Sequence, residues 1–300
     1  MKNFIGSRAL PELNYHRPKD IDNLLGLVGS LDTPFKVVAG CTDFIPAVRH
    51  GNWTFEDGLD LIDIRGVAGL GGIREEDDRV VIGASTRLSE IVDSPILQKK
   101  APVLVEAVEC MASPQVRNTA TIGGNLCMAS PAADSAPPLL VLDAQVVIRG
   151  VDSEETVPLN RFFFGPGTTR LHPREVLTEI RFPAMTAYDA AKRARLGLRT
   201  AFVCSIISLA VRLKVDGNKI SEARIAMGAV APTPVRLVDV ETFMTGKTVT
   251  QDFADEAGQL AAAQITPITD LRASAEYRKA LAHILTRRLI QECLVDLLGR

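Results

Sequence analysis

The hydrophobic pattern of the chain changes period several times, and each change marks an element. Ile21, Leu24, Leu25 and Val28 recur at helical spacing after Pro18 and Asp20, predicting an amphipathic helix over 18–31. A strand follows at 35–39, then a glycine turn and a short helix at 44–50. Leu59-Leu61-Ile62-Asp63-Ile64 and Arg79-Val80-Val81-Ile82-Gly83-Ala84 read as strands, the second after the acidic turn at 75–78. Thr86 to Val92 reads as a short helix that Ser94-Pro95 ends, and 102–112 as a longer one carrying Val103, Val105, Ala107, Val108 and Met111. Leu139 to Val147 is strongly apolar, split by Asp143 and ending as a strand. Val176 to Phe182 alternates as a half-buried strand does.

The pattern shifts near 183–195, where Pro183 precedes a basic cluster of Lys192, Arg193, Arg195 and Arg199. Such a cluster is a solvated face or a ligand-facing one. Val203–Lys214 and Ser221–Val230 then form a hairpin about Asp216-Gly217-Asn218, and helices are predicted at 234–244, 251–264 and 273–298. The sum is an α+β chain without internal repeats. Three hundred residues suffice for two or three domains.

Two stretches break the alternation of elements and carry the chemistry. The first is Val37-Val38-Ala39-Gly40-Cys41-Thr42-Asp43-Phe44, a strand running into a tight turn. The second is Thr121-Ile122-Gly123-Gly124-Asn125-Leu126-Cys127-Met128-Ala129-Ser130-Pro131-Ala132-Ala133-Asp134. Glycines let a backbone approach another group closely because no Cβ intervenes. Main-chain N–H groups beside short hydroxyl and amide side chains suit a phosphate, and a carboxylate such as Asp134 suits a sugar hydroxyl. Either loop alone is as well read as a plain turn; together they point to a nucleotide. Neither is G-x-G-x-x-G or G-x-x-x-x-G-K-[ST], so Rossmann and Walker sites lack their fingerprints.

Composition narrows the classes. The chain is 46% hydrophobic and 23% charged, the balance of a globular protein, and its net charge of −2 gives no reason to expect nucleic acid or an anionic membrane. No stretch approaches the roughly 20 apolar residues of a membrane span, and Met1 to Arg8 lacks the apolar core of a signal peptide. A cytoplasmic location is expected. Cys41, Cys110, Cys127, Cys204 and Cys293 form no C-x-x-C pair, and the four histidines show no ligand spacing, so neither a disulfide framework nor a metal site is expected.

The two loops together resemble those of the flavoprotein (medium) subunits of the molybdenum hydroxylases, the group of xanthine dehydrogenase and carbon monoxide dehydrogenase. The family's first loop has the form A-G-G-x-[ST]-[DL], matched here by Ala39 to Phe44. The second, T-I-G-G-N-x-x-x-[AG]-S-P-x-[SA]-D, is matched from Thr121 to Asp134. Gln115-Val116-Arg117-Asn118, Ala229-Val230-Ala231-Pro232-Thr233-Pro234 and the phrase from Pro267 to Arg278 extend the resemblance nearly end to end.

The resemblance implies an FAD domain of the vanillyl-alcohol oxidase / p-cresol methylhydroxylase type, with two α+β subdomains at 1–57 and 58–183. It implies a C-terminal α+β domain with a three-stranded sheet at 190–300. It also implies noncovalent FAD that takes electrons from a small [2Fe-2S] subunit, served by a molybdopterin-binding large subunit, and passes them to an acceptor such as NAD, a quinone or ferredoxin. Val37, Val38, Ala39, Gly40, Cys41, Thr42, Asp43 and Phe44 would wrap the pyrophosphate and adenosine half. Thr121, Ile122, Gly123, Gly124 and Asn125 would hold the other side, with Asp134 on a ribityl or ribose hydroxyl. Leu177 aligns with a position whose backbone meets the flavin ring, and Met111 with one beside the isoalloxazine, or simply with a helix core face. Lys192 or Arg195 falls where relatives place a flavin-proximal lysine.

Cys41 departs from the family's second glycine. A cysteine there predicts a backbone that does not need φ > 0, and a thiol that is either reactive or merely small. No acid–base residue is called for, because the redox chemistry is the cofactor's. A self-sufficient flavoprotein oxidase or dehydrogenase, or a non-catalytic assembly protein of the same fold, would account for the same motifs.

Overall fold

A computed structural model of the chain describes residues 12–54, 58–199, 202–250 and 252–299. The segment Met1–Arg8, the division expected at 57/58 and the first residue of the helix expected at 251–264 involve residues outside these ranges.

The first lobe holds β1 (Leu13–His16), α1 (Ile21–Ser30), β2 (Phe35–Val38), α2 (Phe44–Arg49) and β3 (Leu59–Asp63). Its sheet has the order β1-β3-β2, with both pairings parallel. Parallel neighbours require a crossover, which α1 and α2 supply. Asp20 starts α1 by accepting from the Asn23 N–H at 2.8 Å, and Leu24 and Val28 are fully buried beneath it. All of β3 is buried, including two carboxylates. Each is satisfied locally: Asp60 by His16 Nε2 at 2.6 Å and by the Thr33 hydroxyl, Asp63 by Arg65 at 2.7 Å and by the Tyr15 hydroxyl.

The second lobe begins with β4 (Ile73–Glu76) and β5 (Arg79–Gly83), followed by α3 (Leu88–Asp93), α4 (Pro95–Lys100), α5 (Pro102–Glu109), α6 (Pro114–Arg117), α7 (Ile122–Cys127) and α8 (Ala136–Val141). It ends with β6 (Gln145–Arg149), β7 (Glu154–Pro158), β8 (Phe163–Gly165), β9 (Thr168–Thr169) and β10 (Val176–Pro183). The main sheet is antiparallel, in the order β4-β5-β10-β6-β7. Its core buries Ile82, Leu104, Ile122, Leu126, Phe162 and Phe182. Ser94-Pro95 does not simply end a helix. Ser94 closes α3 and caps α4, its hydroxyl accepting from Leu97 N–H, because proline is preorganised for a first helical turn. The apolar run predicted from Leu139 divides into α8 and β6 at Asp143, whose φ is +54°.

The third unit contains β11 (Asp189–Leu196), β12 (Ile207–Asp216), β13 (Lys219–Gly228), β14 (Val235–Arg236), α9 (Val238–Met244), α10 (Phe253–Gln264) and α11 (Ala275–Leu298). The sheet order is β11-β12-β13-β14, three long strands and a two-residue edge. The basic cluster, not read as a strand from sequence, is mostly β11. On β12, Ile207, Leu209, Val211 and Leu213 enter the core shared with α9–α11, while Ala210 enters the second lobe's core. Arg212, on that same face, is 4% exposed and reaches Asp189 at 2.7 Å. Asp143 collects Arg224 at 2.9 Å and Arg236 at 2.7 Å. Arg278, buried at the start of α11, donates to Ile206 O, to Ala229 O at 2.7 Å and to Asp270 at 2.8 Å. The Ala229 N–H in turn donates to Pro131 O at 2.7 Å. The two late sequence phrases therefore bind the third unit to the second glycine motif.

The first lobe carries a defined acid sensitivity. Burial pushes the Asp63 carboxyl up, but the Arg65 guanidinium and Tyr15 hydroxyl outweigh it and bring the pKa down to about 2. The folded value lies below the unfolded one of about 3.9, so the stabilisation is full above about pH 4 and disappears as pH falls through 2. Asp63→Asn is expected to flatten this part of the denaturant midpoint against pH between pH 5 and 2; an unchanged slope would contradict the assignment.

Candidate functional site

A cleft of about 830 Å³ opens where the three units meet, within the roughly 300–1,000 Å³ usual for ligand sites. One wall is β2 and the turn into α2, the floor is the α5–α7 region, and the far end is closed by β11 and the β11–β12 connection. The first glycine turn reaches the floor through Gly40. A Cβ on Gly40 would lie 2.2 Å from Thr119 O and 2.8 Å from Ala120 Cα, so only glycine permits this contact.

The second motif is not an open loop but the first turn of α7. Thr121 caps it, its Oγ accepting from Gly124 N–H at 3.1 Å. The Gly123 N–H donates to Ala84 O at 2.9 Å, and a Cβ there would stand 2.6 Å from that oxygen. Gly123 therefore lets α7 press on the end of β5. The Asn125 N–H is taken by Thr121 O. The motif's N–H groups are thus already engaged inside the protein.

The first turn is the reverse. Among the described residues, the N–H groups of Gly40, Cys41 and Thr42 donate to nothing. Three consecutive donors without a partner, on a turn that lines a cleft, are what an anion-binding nest requires. The Ser135 hydroxyl donates to Asn125 Oδ1 at 2.6 Å, holding that side chain at the cleft floor. These donors, in the same cleft as the polar side chains of Thr121 and Asn125, suit a diphosphate.

Cys41 has φ of +55°, which corrects the expectation from its side chain. The turn keeps the left-handed backbone of a glycine and accepts a strained cysteine. Burial raises the Cys41 pKa, and its Sγ donates to Ala39 O at 3.6 Å. The thiol stays protonated near neutrality, so the inert reading of the two left open is the one the geometry favours. Ala112 and Phe202, also lining the cleft, have positive φ as well.

At the far end, Asp134 is 8% exposed. It accepts from Ser205 Oγ at 2.6 Å and forms an ion pair with Arg195, whose Nε lies 2.9 Å away and donates to Ser205 Oγ at 2.8 Å. Burial raises its pKa, opposed by the Ser205 hydroxyl and the Arg195 charge. Arg195 also donates to Cys110 O at 3.1 Å and to Val203 O. It thereby staples β11 to the residue before Met111.

Of the residues expected from sequence, Val37 through Phe44, Met111, Thr121, Gly124, Asn125 and Asp134 line the cleft, whereas Ile122, Gly123, Leu177 and Lys192 do not. Ile122 and Leu177 are buried in the second lobe's core, and Gly123 serves packing. Lys192 pairs with Asp296 of α11 at 2.8 Å. Strand alternation explains this: positions 192 and 195 differ by an odd number and point to opposite faces of β11. Arg195 therefore takes the basic position at the cleft. Lys36, Trp53 and the stretch 202–204 line the cleft without having been anticipated, and Arg199 was marked only by its place in the basic cluster. Lys36 adjoins the first motif; the others carry no motif of their own.

Fold and cleft together define a nucleotide-binding protein of two lobes with an appended α+β domain. The model of the FAD binding domain in molybdopterin dehydrogenase matches residues 11–185, and that of the CO dehydrogenase flavoprotein C-terminal domain matches 187–293. The carbon monoxide dehydrogenase medium chain of Hydrogenophaga pseudoflava is 35% identical over 93% of this chain and 96% of its own length. The putative xanthine dehydrogenase FAD-binding subunit of Escherichia coli is 31% identical over 96% and 98%. A solved carbon monoxide dehydrogenase from Hydrogenophaga pseudoflava superposes with a TM-score of 0.90 at 34% identity, covering 96% of this chain and 99% of the other. The chain belongs to the FAD-binding subunits of the molybdenum hydroxylases.

Two substitutions separate the roles of the first turn. Gly40→Ala is expected to push the turn off Thr119 and abolish flavin binding, read by absorbance of the purified protein; unchanged affinity would show that the contact is dispensable. Cys41→Gly relieves the left-handed strain and is expected to raise stability by about 1 kcal/mol, read by denaturant titration.

Proposed function

We propose that this chain is the FAD-carrying electron-transfer subunit of a molybdopterin-dependent hydroxylase or dehydrogenase. The observation that carries the reading is the nest of unpaired N–H groups at Gly40–Thr42, in the same cleft as Thr121 and Asn125. In this reading the nest grips the pyrophosphate, with Thr121, Gly124 and Asn125 on the other side. Asp134, oriented by Arg195 and Ser205, keeps lone pairs for a ribityl or ribose hydroxyl. Met111 flanks the isoalloxazine. FAD, when bound, converts one-electron transfers into two-electron ones, and the chain's part is to bind, orient and shield it.

The electrons would come from [2Fe-2S] clusters in a small subunit, themselves served by a molybdopterin-binding large subunit. They would leave to an outside acceptor such as NAD, a quinone or ferredoxin. The division at 1–57, 58–183 and 190–300 belongs to the same reading, the first two units enclosing the cofactor. So does a cytoplasmic location, with which five free thiols agree. Among the described residues no helix is long and apolar enough to cross a membrane.

Purification from its own host is expected to give a heteromeric complex containing molybdenum, iron and FAD, the flavin passing into the supernatant on acid precipitation because it is not covalently attached. A flavin-free chain that also refuses added FAD would overturn the reading, as would turnover of an organic substrate by the lone chain.

A further inference from the structure

Trp53 is the only tryptophan of the chain, and neither motif contains it. The N–H groups of Asn52 and Trp53 both donate to Ala47 O, at 2.9 and 3.2 Å, so the chain curls back over the end of α2. This sets the indole 6.0 Å from the Phe44 ring at 57°. Phe44 is buried beneath the cleft wall, whereas Trp53 is half-exposed on it. The Lys36 ammonium lies 5.9 Å from the indole centroid, and Lys36 lines the same wall. The first-lobe end of the cleft is therefore an aromatic ring with a cation over one of its faces.

The other end differs. Met111 and Phe202 supply apolar surface there, and Arg199 meets only Phe202 O among the described residues, leaving guanidinium donors over. The turn of Gly40–Thr42, which joins β2 to α2, lines the same cleft. A flavin dinucleotide has two unlike rings about its diphosphate. The isoalloxazine presents carbonyls and ring nitrogens that call for donors. Adenine needs chiefly a π-face, and a cation beside that face suits the adjoining phosphate.

Resting on the FAD reading above, we infer that Trp53 is the adenine platform of the cleft: it stacks the base while Lys36 faces the adjoining phosphate.

The test uses the full chain stripped of flavin. FAD quenches any nearby indole by energy transfer, so the probe is ADP, which carries the adenine half and no flavin. Saturable quenching of Trp53 emission by ADP, absent when the chain is already saturated with FAD, is the expected result. Trp53→Ala should loosen ADP roughly 5- to 100-fold, while Trp53→Phe, which keeps a face, should stay within a few-fold of the parent. The wild-type titration stands even if the alanine variant misfolds. Normal FAD binding with Trp53 emission indifferent to ADP overturns the platform and leaves the flavin reading intact. Failure to bind FAD at all overturns both.

Discussion

The contact between Gly40 and the Thr119–Ala120 backbone is the constraint on which the cleft depends. It joins two lobes built on different sheets, one parallel and one antiparallel, at a point too tight for any side chain. The contact places the unpaired donors of the first turn against the start of α7. A β-carbon at that point would have to move one lobe or the other. The strain at Cys41 belongs to the same geometry. The chain takes a left-handed turn there because the lobes meet there, not because cysteine favours it.

The third unit is part of the site rather than an attachment to it. Arg195 closes the far end by holding Asp134, Ser205 and Cys110 together. Arg224 and Arg236 converge on Asp143, and Arg278 fixes Ala229, which in turn holds Pro131 in the second motif. Removing one partner of such part-buried networks leaves a charge unpaired, which is costly. The late sequence phrases are thus structural: they position the cleft end without lining it.

Much of the fold was legible because periodicity is local. The helices of the third unit, the hairpin about Gly217 and strands β2, β3, β5, β6 and β10 fall close to where the apolar spacing puts them, whereas β1, β7, β8 and β9 were not read and β4 takes in Glu75 and Glu76 of the expected acidic turn. Where a local signal had two meanings, the expectation failed. Ser94-Pro95 both ends and begins a helix. The glycines of the second motif suit a phosphate or a packed helix start, and Gly123 serves the latter. A basic run reads as a solvated face until its strand alternation is known, and then Lys192 and Arg195 part company.

The sequence by itself determined the longer elements, the two glycine motifs and the family resemblance, because these reside in residue types and their spacing along the chain. Only the tertiary structure decided which donors are free. Whether an N–H is spent on a neighbour depends on groups distant in sequence: Ala84 satisfies Gly123, while none of the described residues satisfies Gly40. It likewise decided that Trp53 and Lys36 share a wall with the nest, a relation that no spacing encodes.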